Sequence, residues 1–181
     1  MEILRHTDLR RAAQMIQQGD LLIYPTDTVW GMGCDATNPA AVARLKTVKG
    51  KPADAPLIWL LPSIAAVEKF CGTVTPTERR LLNQKHTSVV VHGQAVRVVK
   101  SGWLNRLLTK CGVPLVATSA NHHGQPVITG WRQALTLASD HCAVMRGRKI
   151  YHSLPSTLLR VSATNPPKIQ IIRHGSGISM G

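Results

Sequence analysis

The 181-residue sequence predicts an α/β fold built on a mixed, twisted β-sheet. Short runs rich in leucine, isoleucine and valine alternate with stretches whose apolar residues recur at helical spacing. No repeat, low-complexity segment or linker interrupts that alternation. The length suits a single domain with a sizeable core, spanning residues 1–181.

The elements follow in order. Residues 8–18 place Leu9, Ala12, Ala13 and Ile16 on one helical face, and Gly19 is a natural stop. Residues 21–24 form a strand, and residues 24–36 read as a loop leaving its end. Asn38 followed by Pro39 reads as an N-cap with proline at the first helical position. That helix continues through Ala41, Val42, Leu45 and Val48, with Lys46 and Lys49 at its C-terminal end. Residues 57–61 are a continuous apolar run of strand length, expected to be buried on both faces. Ser63 caps a helix with Ile64, Val67 and Phe70 on one side. Thr75, Pro76 and Glu78 make a capping box that starts another. The β-branched runs 87–91 and 95–99, separated by His92, Gly93 and Gln94, predict a hairpin. Trp103, Leu104, Leu107, Leu108 and Cys111 form a helical stripe ending at Gly112. Residues 115–118 are a strand with Ser119, Ala120 and Asn121 at its carboxyl end. Trp131, Ala134, Leu135 and Ala138 mark a helix, and short strands follow near 142–145, 157–161 and 168–172.

Composition narrows the function. Twenty-two Lys and Arg face nine Asp and Glu, a formal charge of +13, which implies an anionic partner: nucleotide, nucleic acid or both. Aromatic residues make up only 4%, so a stacking platform for single-stranded RNA is not expected. Any RNA contact would be electrostatic, to phosphates. No apolar run approaches the ~20 residues that span a bilayer. No apolar stretch follows the charged N-terminus, so a cytoplasmic location with no membrane partner is expected. The four cysteines are far apart and lack a C-x-x-C pairing, and the eight histidines form no ligand pattern. Reduced, mostly buried thiols and no metal site are expected, with His122 and His123 in a loop.

Three polar segments carry the chemistry. The first, YPTDTVWGMGCDA at 24–36, combines two threonine hydroxyls, an aspartate and two glycines at a strand end, where ligands bind in α/β sheets. Its last six residues fit G-x-G-x-x-A, but Asn38 and Pro39 start the helix too late for a dinucleotide fold. A Walker A sequence is absent. The second is Lys49-Gly50-Lys51, whose ammonium groups suit phosphates or, equally, the end of a helix. The third, Thr118 to Asn121, offers two hydroxyls and an amide, or is an ordinary polar turn. Arg97, set among valines, needs an anionic partner if it faces inward; a period-two reading also lets it face solvent.

Taken together, these segments resemble the YrdC/Sua5 family. The matching patterns are Y-P-T-x-T-x-x-G-x-G-x-x-A at 24–36, K-x-R at 49–51 and S-x-N at 119–121. Ala95-Val96-Arg97-Val98 is similar to its V-R-x-P strand, Pro155-Ser156-Thr157 to its P-S-T segment, and Arg173-His174-Gly175 to its closing R-x-G. The resemblance runs from about residue 8 to 175 and is to the short, single-domain form.

It implies an open, twisted mixed sheet with flanking helices around a deep basic cavity. The implied activity is nucleotidyl transfer: threonylcarbamoyl-AMP made from L-threonine, bicarbonate and ATP, with Mg2+ and release of pyrophosphate. The product serves N6-threonylcarbamoylation of adenosine 37 in tRNA, completed by a separate threonylcarbamoyl-transferase complex. By resemblance, Thr28, Arg97 and Ser156 bind L-threonine, while Lys49, Lys51, Ser119, Asn121 and Arg173 hold ATP. Lys49 and Lys51 are the catalytic cations, since such chemistry needs positioning and charge stabilisation rather than a nucleophile.

Three differences stand out. Lys51 replaces an arginine and loses the planar two-point phosphate contact. Residues 82–87 keep only Thr87 of the family's W-P-G-P-x-T. Val99 stands where V-R-x-P has proline. Two other readings are a paralogue that binds double-stranded RNA or assists ribosome maturation, and a carbamoyl-adenylate enzyme acting on another substrate. Lys49 and Arg173 lie near element ends, so alanine at either is expected to weaken ATP binding at little cost in stability.

Overall fold

The computed structural model describes residues 1–52, 54–122, 124–138, 140–147, 150 and 154–177. In chain order its elements are β1 (Glu2–Leu4), α1 (Leu9–Gln17), β2 (Leu21–Pro25), β3 (Trp30–Gly33), α2 (Pro39–Lys49), β4 (Ile58–Leu61), α3 (Ile64–Cys71) and α4 (Pro76–Leu82). Then come β5 (Thr87–Val91), β6 (Gln94–Val98), α5 (Gly102–Cys111), β7 (Leu115–Ser119), α6 (Trp131–Ala134), β8 (Cys142–Met145), β9 (Thr157–Val161) and β10 (Ile169–Arg173). Among the described residues the strands form one mixed ten-stranded sheet, ordered β1-β8-β2-β3-β7-β4-β6-β5-β9-β10.

Period-two alternation divides the core. On β2, Leu22 and Tyr24 pack with α1 and α5, whereas Leu21 and Ile23 pack with α2 and α6. On β8, Ala143 and Met145 take the first side, Cys142 and Val144 the second. The sheet therefore carries helices on both faces. A third cluster packs Val67, Leu81 and Leu82 of α3 and α4 on Val89, Val91 and Val96 of the β5–β6 hairpin.

Local chemistry sets the helix ends. Asn38 Oδ1 accepts from the Ala41 N–H at 3.1 Å, Pro39 opens α2, and Gly50 closes it in the left-handed region at φ 63°. Ser63 caps α3 through the Ala66 N–H, and Thr75 and Glu78 exchange both capping-box bonds on α4.

Three sequence expectations change, and one strand is added. The segment 24–36 is not a loop throughout: Trp30–Gly33 is β3, central in the sheet, paired with β2 and β7. Trp30, Met32 and Cys34 bury completely between β2 and α2, and a Cβ on Gly33 would lie 2.1 Å from the Val116 carbonyl oxygen. The glycine is there for close backbone approach within a sheet, not for loop freedom. The 57–61 strand is only partly buried at Ile58 and Trp59. The helix starting at Trp131 ends at Ala134, because the Leu137 N–H bonds the Ala134 carbonyl and Thr136 Oγ1 bonds the Gln133 carbonyl, tightening the chain into a turn. An edge strand, β1, pairs parallel with β8, too short to show periodicity.

Among the described residues no helix is long and apolar enough to cross a membrane. Cys34, Cys111 and Cys142 are buried and Cys71 is half-buried, as expected. Burial raises Cys34 and Cys111 to about 12. His122 is exposed in a loop; His123 lies outside the described residues.

Candidate functional site

The β2–β3 connection is organised by Thr26. Its Oγ1 accepts from the N–H groups of Thr28 and Val29 at 3.0 and 3.1 Å and donates to the Val29 carbonyl at 2.6 Å. This side-chain turn holds Thr28, whose hydroxyl lies 3.0 Å from that of Thr26 and is almost fully buried. Between the threonines, Asp27 projects outward with a side chain 58% exposed.

Arg97 faces inward from β6 and is buried, so it needs the partner its setting demanded. That partner is Asp27: Arg97 Nη2 donates to both carboxylate oxygens at 2.7 Å, and Nη1 points at Thr28 Oγ1, 3.5 Å away. His86, in the turn before β5, places Nε2 3.3 Å from Asp27 Oδ2.

The cationic part of the site comes from α2 and β10. Lys49 extends from the last residue of α2, and its ammonium donates to the carbonyls of Ser119 and Asn121 and to Asn121 Oδ1. It is only 1% exposed, so it is not the surface cation its position at a helix end suggested. Burial, and then Lys51, lower its pKa to about 8, while the three oxygens accepting from it favour the charged form. Ser119 Oγ donates to Asn121 Oδ1 at 2.7 Å, so lysine, serine and asparagine form one braced unit at the carboxyl end of β7.

Lys51 is half-buried. Burial lowers its pKa first, and repulsion from Arg173 and Lys46 adds to it, which places Lys51 and Arg173 within each other's field. Arg173 Nη2 donates to the Ser156 carbonyl at 2.9 Å and lies 3.4 Å from Ser156 Oγ, itself 2.8 Å from the Ser88 hydroxyl. The glycine two residues on has a steric reason: a Cβ on Gly175 would sit 2.1 Å from the Pro155 carbonyl oxygen.

Thr28, Arg97, Ser119, Ser156 and Arg173 line one cleft of about 270 Å3, walled on its apolar side by Ile58, Leu60 and Ala117. Lys49 and Asn121 stand behind Ser119 rather than on that wall. A larger hollow of about 680 Å3, lined by Lys85, His86, Lys100 and Arg146, meets the cleft at Thr26, Asp27 and Arg97. The basic residues are thus spread over two open hollows, and a single deep basic cavity is not shown.

Sequence reasoning left Thr26, Asp27 and His86 without roles. Arg97 among valines signalled a hidden anion, but nothing along the chain named Asp27, which is 70 residues away.

A model of the Sua5/YciO/YrdC family, described as telomere recombination, matches residues 14–175. A threonylcarbamoyl-AMP synthase of Methylobacillus flagellatus is 30% identical over 171 residues, covering 82% of this chain and 92% of that protein. The synthase of Hydrogenovibrio crunogenus is 31% identical over 170 residues, covering 83% and 91%. Among solved structures, P. abyssi Sua5 complexed with L-threonine superposes with a TM-score of 0.79 at 26% identity, over 96% of this chain. This chain spans 57% of that Sua5's length. E. coli YciO superposes with a TM-score of 0.81 at 15% identity, over 98% of this chain and 96% of its own, a likeness of fold alone.

Proposed function

The chain belongs to the Sua5/YciO/YrdC family, and from that premise we propose that it is a threonylcarbamoyl-AMP synthase, a nucleotidyltransferase joining L-threonine, bicarbonate and ATP with release of pyrophosphate. The observation that carries the reading is the convergence of Thr28, Arg97, Ser119, Ser156 and Arg173 on one cleft.

In this reading Arg97 takes the threonine carboxylate on the nitrogens that Asp27 leaves free, and the hydroxyls of Thr28 and Ser156 fix its orientation. Bicarbonate carboxylates the amine, and a carbamate oxygen attacks the α-phosphate of ATP. Negative charge then builds on phosphate oxygens as pyrophosphate leaves. Arg173 holds those oxygens from the cleft wall, Lys51 adds its charge beside Arg173, and Ser119 offers its hydroxyl, supported from behind by Asn121, whose amide donates to the Gln125 carbonyl. Lys49 adds its charge from behind β7 and keeps Ser119 and Asn121 in register. Most of the acceleration comes from proximity and prearranged charge, with no covalent intermediate on the protein.

Among the described residues no three His, Cys, Asp or Glu side chains gather to hold a metal, and Asp27 in the cleft is already paired with Arg97. Mg2+ would therefore arrive on the triphosphate, as this ion commonly does. The adenylate would feed N6-threonylcarbamoylation of adenosine 37 in tRNA, through a separate transferase complex.

The test is pyrophosphate release from ATP, bicarbonate and Mg2+ with and without L-threonine. Release that requires threonine supports the proposal; no release while ATP still binds overturns it. A second reading, binding of duplex RNA or tRNA, is favoured by the charge of +13 and by Lys85, Lys100 and Arg146 around the larger hollow. It predicts an RNA affinity that falls steeply with salt.

A further inference from the structure

The wall between the two hollows holds a proton-transfer geometry that the proposed reaction needs. L-Threonine reaches the protein as an ammonium ion, and an ammonium nitrogen has no lone pair with which to attack bicarbonate. Carbamate formation balances only if that nitrogen gives up two protons. The N–C bond forms, a C–O bond of bicarbonate breaks, and the leaving hydroxide departs as water with one of them. The other proton must leave the site.

Asp27 stands where that proton would go. It lines both hollows, and it sits beside Arg97 and Thr28, the proposed threonine ligands. An arginine and a carboxylate side by side also match an amino-acid zwitterion, with carboxylate on Arg97 and ammonium on Asp27. Beyond Asp27, His86 lines the larger hollow and does not line the threonine cleft. Its main chain is held in the left-handed region at φ 53°, with its carbonyl accepting from the Thr157 N–H at 2.9 Å. A histidine in that conformation is uncommon and is kept there by its surroundings. It carries Nε2 to 3.3 Å from Asp27 Oδ2.

Resting on the synthase reading, we infer that Asp27 binds the threonine ammonium, receives its proton and passes it to His86, which releases it into the larger hollow. Histidine suits such a relay near neutral pH. The charged and titratable groups facing the pair are Arg97 on β6, Lys85 before β5, Lys100 after β6, His6 after β1 and Arg146 after β8 in the larger hollow, and Arg173 on β10 in the cleft.

The experiment measures threonine-dependent pyrophosphate release by the full chain at saturating ATP, from neutral to mildly alkaline pH, for wild type, His86→Gln and Asp27→Asn. For His86→Gln the neutral-pH rate should fall on the order of a hundredfold, as expected when a general base is lost. The threonine KM should move little, and the deficit should close as rising pH supplies free amine from solution. Asp27→Asn should lose rate in the same pH-dependent way and raise the threonine KM as well. A His86→Gln profile that overlays the wild type, or a deficit equal at every pH, overturns the relay. An Asp27→Asn protein that fails to fold leaves the His86→Gln result to decide. A wild type that releases no pyrophosphate removes the synthase reading and this inference together, whereas an active wild type with an unaltered His86→Gln profile removes the relay alone.

Discussion

Replacing Lys49 by methionine keeps the length of a buried side chain while removing its charge and its donors. The ammonium serves three oxygens, two of them main-chain carbonyls of Ser119 and Asn121 and one the Asn121 side-chain oxygen. Losing a partner for a buried acceptor costs roughly 1 kcal/mol at the lower end, so three such losses come to about 3 kcal/mol. Relief of the buried charge works against that loss, and the lowered pKa of Lys49 shows that this opposing effect is present. A net cost of about 2–3 kcal/mol follows, and at about 2–4 °C per kcal/mol for a chain of this size the melting temperature should drop by roughly 4–12 °C. ATP affinity should fall too, because Ser119 and Asn121 lose their brace. Thermal melting followed by circular dichroism, with ATP titration by calorimetry, measures both. A melting temperature within about 1 °C of the wild type, at any level of ATP binding, would show that Lys49 is not bound in place by those oxygens.

Other substitutions and conditions probe the same unit. Lys51→Arg supplies a planar fork facing the phosphates and should tighten ATP by about fivefold to tenfold in the same titration, since two-point charged contacts are roughly twice as strong as single ones. Gly175→Ala drives a methyl group to 2.1 Å from the Pro155 carbonyl oxygen. The Ser156 segment must then shift, at a cost of about 1–3 kcal/mol, visible as a lower melting temperature and a weaker threonine affinity. Because burial lowers Lys49 to about 8, its positive charge fades as pH rises above about 8. Phosphate favours the charged form, so ATP affinity should decline on raising pH through that value and ATP binding there should take up protons. Calorimetry in buffers of different ionisation enthalpy reads that uptake, and Lys49→Met should abolish it.

Much of the fold was legible because it is written in local chemistry. Asn38 with Pro39, Ser63, and Thr75 with Glu78 announce helix starts through bonds made within three residues. The valine runs around His92 and Gly93 announce a hairpin for the same reason. β3 escaped because Gly31 and Gly33 read as loop residues, although Trp30, Met32 and Cys34 alternate at strand spacing. Its glycines answer to β7, more than eighty residues later, a neighbour that no local window contains. The site divides the same way. Its polar segments stand out by residue type, but the contacts that make them a site join residue 27 to 97, 49 to 119 and 121, and 156 to 173. Burial reversed one expectation outright: Lys49 ends a helix by position, yet it spans inward to the end of β7 and is a core residue.

Carbon-13 bicarbonate, supplied with ATP, Mg2+ and L-threonine, gives the most direct measurement, read by mass spectrometry of the nucleotides formed. An adenylate carrying one labelled carbon and one threonine is expected, formed only when all three substrates are present. AMP or pyrophosphate appearing without threonine, or no labelled adenylate from folded protein that binds ATP, would contradict the synthase reading.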